Sequence, residues 1–202
     1  MTKIKLCGLS RERDIAAANE LKIDCAGFVF APRSRRYVSP ERTAELRRLL
    51  DAEIRAVGVF VDEEPEVIAG LLNRGVIDLA QLHGREDAAY IARLRALTPK
   101  PILQAFRIVG PEDAARAQES AADGILLDSG TGSGAVFDWE LVKGVKRPYF
   151  LAGGLSPENV AEAVARLRPF GVDVSSGIET DGVKDTEKMA AFVAAVREVD
   201  RT

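Results

Sequence analysis

With 202 residues, 47% of them hydrophobic, the chain can bury one sizeable core and stands at the lower limit for an eight-unit α/β barrel. Its 28 Lys and Arg against 31 Asp and Glu give a net charge of -3, without the basic stripe that nucleic-acid binding needs. No apolar run approaches the ~18 residues of a membrane span, and Cys7 and Cys25 lack the spacing of a metal or redox site, so neither a disulfide framework nor structural zinc is expected.

The start, Met1-Thr2-Lys3-Ile4-Lys5, reads directly as a strand rather than as a charged leader, and a cytoplasmic protein is expected. From there short apolar segments alternate with helical patterns at intervals of roughly 25 residues, the signature of consecutive βα units and a parallel sheet. The pattern predicts strands over 3–7, 24–30, 54–61, 78–82, 101–107, 124–128, 148–151 and 172–175. Ser39-Pro40 offers a serine N-cap with proline at the first helical position, and Ser156-Pro157 repeats it. Apolar stripes at helical spacing run through Val67, Ile68, Leu71 and Leu72, then Val160, Ala163, Val164 and Leu167, then Met189, Phe192, Val193 and Val196, with Gly75 as a stop after the first. A tally of eight units favours a single-domain (β/α)8 TIM barrel over residues 1–202. An open doubly wound sheet is the rival, because local pattern does not show whether a sheet closes.

In either architecture ligands sit beyond the carboxyl ends of the strands, which defines the residues worth weighing. Cys7 ends the first strand with Lys5 on the same parity. It reads either as a small buried apolar residue or as a base, and a base needs its thiol pKa lowered from about 8.5 toward neutrality, with Lys5 as a source of charge. Arg33, Arg35 and Arg36 follow the second strand, either as a solvated run or with one guanidinium facing a carboxylate. Gln81 and His83 follow the fourth strand; the lone histidine has no partner ligands at suitable spacing, and a structural role is expected for it. Asp128 closes Gly124-Ile125-Leu126-Leu127-Asp128 and reads equally as a proton donor or as a turn aspartate. Gly130-Thr131-Gly132-Ser133-Gly134-Ala135 fits a dinucleotide pattern, but the helix and the later acidic residue that give it meaning are missing, so a cover over the site is the better reading. Trp139 reads as a packing residue. Ala152-Gly153-Gly154-Leu155 and Asp173-Val174-Ser175-Ser176-Gly177-Ile178 each follow an apolar run and leave backbone N–H groups open to an anion, the arrangement expected of a phosphate site at the seventh and eighth strand exits. Asp173 shares parity with Ser175 and is expected to pair with Lys5 beneath Cys7.

Taken together, Lys3-Ile4-Lys5-Leu6-Cys7-Gly8-Leu9, Gly27-Phe28-Val29-Phe30 with Ser34-Arg35-Arg36-Tyr37, Gly58-Val59-Phe60-Val61 and Gln81-Leu82-His83-Gly84 resemble the phosphoribosylanthranilate isomerase family. Leu126-Leu127-Asp128, the glycine loop running into Phe137-Asp138-Trp139, Ala152-Gly153-Gly154-Leu155, Asn159-Val160 and the run Asp173 to Glu179 carry the resemblance through essentially the whole chain. Departures are small: Leu6 stands where isoleucine is usual, Ser10 where threonine is common, and Asp181-Gly182-Val183-Lys184-Asp185 where a glycine pair often precedes the valine. The resemblance implies a barrel that converts phosphoribosylanthranilate into carboxyphenylamino-deoxyribulose phosphate, an Amadori rearrangement in tryptophan biosynthesis that needs no cofactor and no metal. It also implies Asp128 as general acid on the ribose ring oxygen and Cys7 as general base at carbon two. Arg36 would then hold the anthranilate carboxylate, and Gly153, Gly154, Ser175, Ser176 and Gly177 the phosphate. Lys5, Gln81, His83 and Asp173 stand behind these as supporting residues. The expected partner is a small phosphosugar, with neither nucleic acid nor membrane, and the protein a monomer or homodimer.

Other phosphosugar barrels, such as an epimerase or an indoleglycerol phosphate synthase, and a non-catalytic sugar-phosphate binder are the competing readings, because phosphate turns alone do not specify a reaction. Cys7 with Asp128 argues against the first two, and the full set of Cys7, Asp128 and Arg36 against the third.

Overall fold

The apolar runs of the computed structural model, which describes residues 1–128 and 139–201, form the strands β1 (Lys3–Cys7), β2 (Cys25–Val29), β3 (Arg55–Phe60), β4 (Leu79–Leu82), β5 (Ile102–Arg107), β6 (Gly124–Asp128), β7 (Tyr149–Ala152) and β8 (Gly171–Val174). Each pairs in parallel with the next, and β8 returns to β1 through Ile4↔Val172 and Lys5↔Asp173, so the sheet is a closed barrel. Closure leaves no strand edge unpaired, which removes the open doubly wound alternative. Outward-facing strand residues such as Ile4, Leu6, Ala26 and Phe28 join the helices in one main core. Inward-facing residues form smaller clusters, one of them Cys7, Val29 and Val59 and another Leu103, Leu126, Phe150 and Ala152.

The connecting helices are α1 (Glu12–Glu20), α2 (Pro40–Leu49), α3 (Pro65–Asn73), α4 (Ala88–Leu97), α5 (Pro111–Gln118), α6 (Val160–Leu167) and α7 (Thr186–Val199). Ser39 caps α2 by accepting from the Arg42 N–H at 3.2 Å, with Pro40 at its first position. Ile68, Leu71 and Leu72 of α3 are buried, each worth about 1.5–3 kcal/mol relative to exposure. Val67 departs from the expected stripe and is 47% exposed, because the buried face of α3 is narrower than the apolar run. Gly75, with φ 71°, ends the segment as expected.

The start of α6 differs from expectation. Pro157, Glu158 and Asn159 form a turn, and the helix begins only at Val160; Asn159 Oδ1 accepts from the Ser156 N–H at 2.9 Å across that turn. After β6 the described residues hold a short 3₁₀ turn, Trp139–Val142, rather than an eighth α-helix. Trp139 belongs to the main core, with the Arg166 guanidinium 5.2 Å from its ring centroid. The loop 130–135 lies outside the described residues, so the expectation of a cover is carried no further. No helix among the described residues is long and apolar enough to cross a membrane.

Candidate active site

Strand alternation turns Lys5 and Cys7 into the barrel while Ile4 and Leu6 face the helices. The β1–β8 register sets Lys5 beside Asp173, and Lys5 Nζ donates to Asp173 Oδ1 at 2.8 Å, the pairing expected from parity. Burial pulls the Lys5 ammonium down, but Asp173 and Cys7 outweigh it and its pKa ends above the usual lysine range. The pair lies under a cavity of about 240 Å³ at the carboxyl ends of the strands, whose wall includes Cys7, Arg36, Gln81, His83, Asp128 and Asp173 together with Gly153, Gly154, Ser175 and Ser176. Arg33 and Arg35 are exposed and stay off that wall, so one arginine of the run faces the cavity.

Cys7 carries a correction. Desolvation pushes its thiol pKa up, Lys5 and Lys184 oppose this, and Asp173 adds to it, with a net shift upward rather than toward neutrality. Burial is the largest influence, and Asp173, paired with Lys5, offsets part of the lowering that Lys5 supplies. Burial therefore favours the protonated thiol at Cys7.

Across the cavity, His83 Nε2 lies 3.3 Å from Asp128 Oδ2, and Gln81 Nε2 lies 2.9 Å from His83 Nδ1. With the Gln81 amide donating, Nδ1 is the accepting nitrogen and Nε2 carries the proton toward Asp128. His83 thus lines the cavity wall in contact with Asp128.

The two glycine turns meet at the end of β7 and β8. Gly153 and Gly154 have φ of 86° and 65°, a left-handed pair that a side chain would strain. Asn159 Nδ2 ties the turn down by donating to the Gly154 carbonyl at 2.8 Å. Gly177 stands one step behind the cavity wall; a Cβ there would run into the Leu155 carbonyl oxygen, so its lack of a side chain lets the two turns touch. Ser175 Oγ donates to the Cys7 carbonyl at 3.1 Å, which joins the turn to the end of β1.

Residues 4–195 match the family model described as N-(5'-phosphoribosyl)anthranilate (PRA) isomerase. The chain belongs to that family.

It is an isomerase acting on N-(5'-phosphoribosyl)anthranilate, an enzyme of tryptophan biosynthesis. A phosphoribosylanthranilate isomerase of Endomicrobium trichonymphae is 45% identical over 202 residues, covering 98% of this chain and 99% of its own. One from Acetivibrio thermocellus is 44% identical, covering 99% of this chain and 98% of its own. The solved Thermotoga maritima isomerase is 35% identical with a TM-score of 0.90, covering 98% of this chain and all of its own. A solved isomerase in complex with reduced 1-(o-carboxyphenylamino)-1-deoxyribulose 5-phosphate is 35% identical with a TM-score of 0.88, covering 98% of this chain.

Sequence reasoning passed over Glu179, Lys184 and the stapling role of Asn159. A signal for the first two was present. Asp181-Gly182 is a two-residue turn with φ of 52° and 79°, joining the short antiparallel strands β9 (Glu179–Thr180) and β10 (Val183–Lys184). An Asp-Gly pair between short runs is a strong hairpin signal, and the hairpin sets Lys184 beside Glu179.

Proposed function

We propose that Asp128 and Cys7 share the chemistry of this isomerisation, with Arg36 and the two glycine turns holding the substrate at its ends. Asp128, protonated, gives its proton to the ribose ring oxygen as the bond from that oxygen to carbon one breaks, leaving an iminium. Cys7, as thiolate, then takes the proton from carbon two; the resulting enol tautomerises to the ketose, and no atom is gained or lost. The observation that carries the reading is that thiol, carboxyl, guanidinium and both glycine turns line one cavity. Binding the phosphate at Gly153, Gly154, Ser175 and Ser176, with Gly177 behind them, anchors the sugar away from the reacting carbons, so that anchoring energy goes into orientation. The Gln81–His83 pair supports the acid role. A half-turn of the Gln81 amide brings its Oε1, buried and without a partner among the described residues, onto Nδ1–H. His83 Nε2 is then left to accept from a protonated Asp128, so the relay suits both states of the acid.

The substrate proposed is a small phosphosugar bearing an aromatic carboxylate. We propose a monomer or homodimer acting in the cytoplasm; a Thermotoga maritima relative is described as dimeric, with monomers generated from it.

Expression of this chain restores growth without tryptophan to an auxotroph lacking only this isomerase; failure of an expressed, folded protein to do so overturns the reading. Arg36→Ala weakens reduced carboxyphenylamino-deoxyribulose phosphate by about tenfold or more while inorganic phosphate stays within about twofold, measured by titration calorimetry. Equal losses for both ligands would assign Arg36 a different role.

A further inference from the structure

Arg36 is itself held, and the way it is held has a consequence for what it can grip. Its Nε donates to Glu179 Oε1 at 2.6 Å and its Nη2 to Glu179 Oε2 at 2.8 Å, so one edge of the planar guanidinium is filled bidentately. Among the described residues Nη1 makes no hydrogen bond, and the other edge, Nη1 with the second Nη2 hydrogen, is left open. An open guanidinium edge fits a second carboxylate bidentately. Glu179, whose side chain is 4% exposed, is fixed in turn by Lys184 Nζ at 2.6 Å and Arg35 Nη2 at 2.9 Å. Lys184 Nζ also donates to the Ser175 carbonyl at 2.8 Å, and Ser175 Oγ donates to the Cys7 backbone carbonyl, so one network runs from the guanidinium to the phosphate turn and to the end of β1. The Arg36 stem crosses directly over Gly8, where a Cβ would come within 2.6 Å of Arg36 Cδ, which fixes the stem from below.

We propose that Glu179 is a positioning residue, holding one edge of Arg36 so that the opposite edge is presented to the carboxylate of the substrate's aromatic ring; this rests on the role of Arg36 proposed above. The charges fit the purpose. Arg35, Arg36 and Lys184 converge on a single carboxylate, so the cluster keeps an excess of positive charge for an incoming anion. The hydrogen bond to Glu179 raises the Arg36 pKa against its partial burial, and Glu179, which burial alone would raise, is lowered by Arg36 and Lys184. Glu179 therefore stays ionised and directs Arg36 without cancelling the site's charge.

A double-mutant cycle between Glu179→Gln and Arg36→Ala tests this, read out with reduced carboxyphenylamino-deoxyribulose phosphate, inorganic phosphate and steady-state kinetics. Glu179→Gln should raise KM and the Kd of the carboxylate-bearing analogue about tenfold, with kcat changed less and inorganic phosphate within about twofold. In the Arg36→Ala background the same change should add no more than about twofold, because the group being oriented is gone. Additive losses, or equal losses of analogue and inorganic phosphate, overturn the proposal and leave Glu179 a brace of the hairpin. Should Glu179→Gln fail to fold because Lys184 is left buried and unpaired, the cycle is run on the Lys184→Met background, with the same expected and overturning results. If Arg36→Ala itself spares the analogue, the role of Arg36 falls and this inference falls with it. If only Glu179→Gln spares the analogue, this inference falls alone.

Discussion

Replacing Cys7 by alanine lowers kcat by about 10²–10⁴-fold, the range a positioned acid or base contributes, while inorganic phosphate binds within about twofold of wild type. The asymmetry follows from position: Cys7 ends β1, whereas the glycine turns follow β7 and β8, and Ser175 touches Cys7 through its carbonyl and not its thiol. Stopped-assay kinetics with phosphate titration separate the two effects, and full turnover in the variant removes the base assignment. The upward shift of the Cys7 thiol also adds a pH signature to stability. The unfolded thiol ionises near about 8.5 while folded Cys7 holds its proton longer, so above that pH the folded state binds more protons and stability falls as pH rises. Cys25, pushed by burial to about 11, contributes in the same direction and remains in the variant. Urea midpoints measured between about pH 8 and 10 therefore decline less steeply for Cys7→Ala than for wild type.

Changing Asp128 to asparagine costs a comparable factor, about 10²–10⁴ in kcat, with KM little altered. Asparagine keeps the shape and can still accept from His83 Nε2–H, so the contact at 3.3 Å survives while the transferable proton does not. Loss of the acid stops ring opening, the first step, so no covalent change in substrate precedes the block. A variant with normal kcat and a raised KM would recast Asp128 as a binding group. The variant leaves the Lys5–Asp173 pair untouched, and its thermal midpoint should stay near wild type.

Much of this architecture was legible along the chain. The apolar runs over 3–7 and 124–128 coincide with β1 and β6, and the other six predicted strands overlap the observed ones with no end displaced by more than one residue. The polar residues at their carboxyl ends, Cys7, Gln81, His83 and Asp128, meet in one cavity, because strand direction in a parallel sheet is the same for every unit. The helix start at Ser156 was misread, since a serine followed by proline describes a turn as well as a cap, and the side chain that chose between them, Asn159, acts from outside the motif. Glu179 lies 143 positions from Arg36, and no local periodicity connects them.

Alternating hydrophobicity and the residue types at strand ends depend on near neighbours, so the chain by itself determined the βα repeat, the inward parity of Lys5 and Cys7, and the chemistry available at the rim. Closure through Ile4 and Val172, the upward shift of the Cys7 thiol, the His83–Asp128 contact and the grip of Glu179 on Arg36 were decided only by the tertiary structure. Each depends on which distant groups meet and how much water is excluded where they do, and those are properties of the packed barrel rather than of any stretch of sequence.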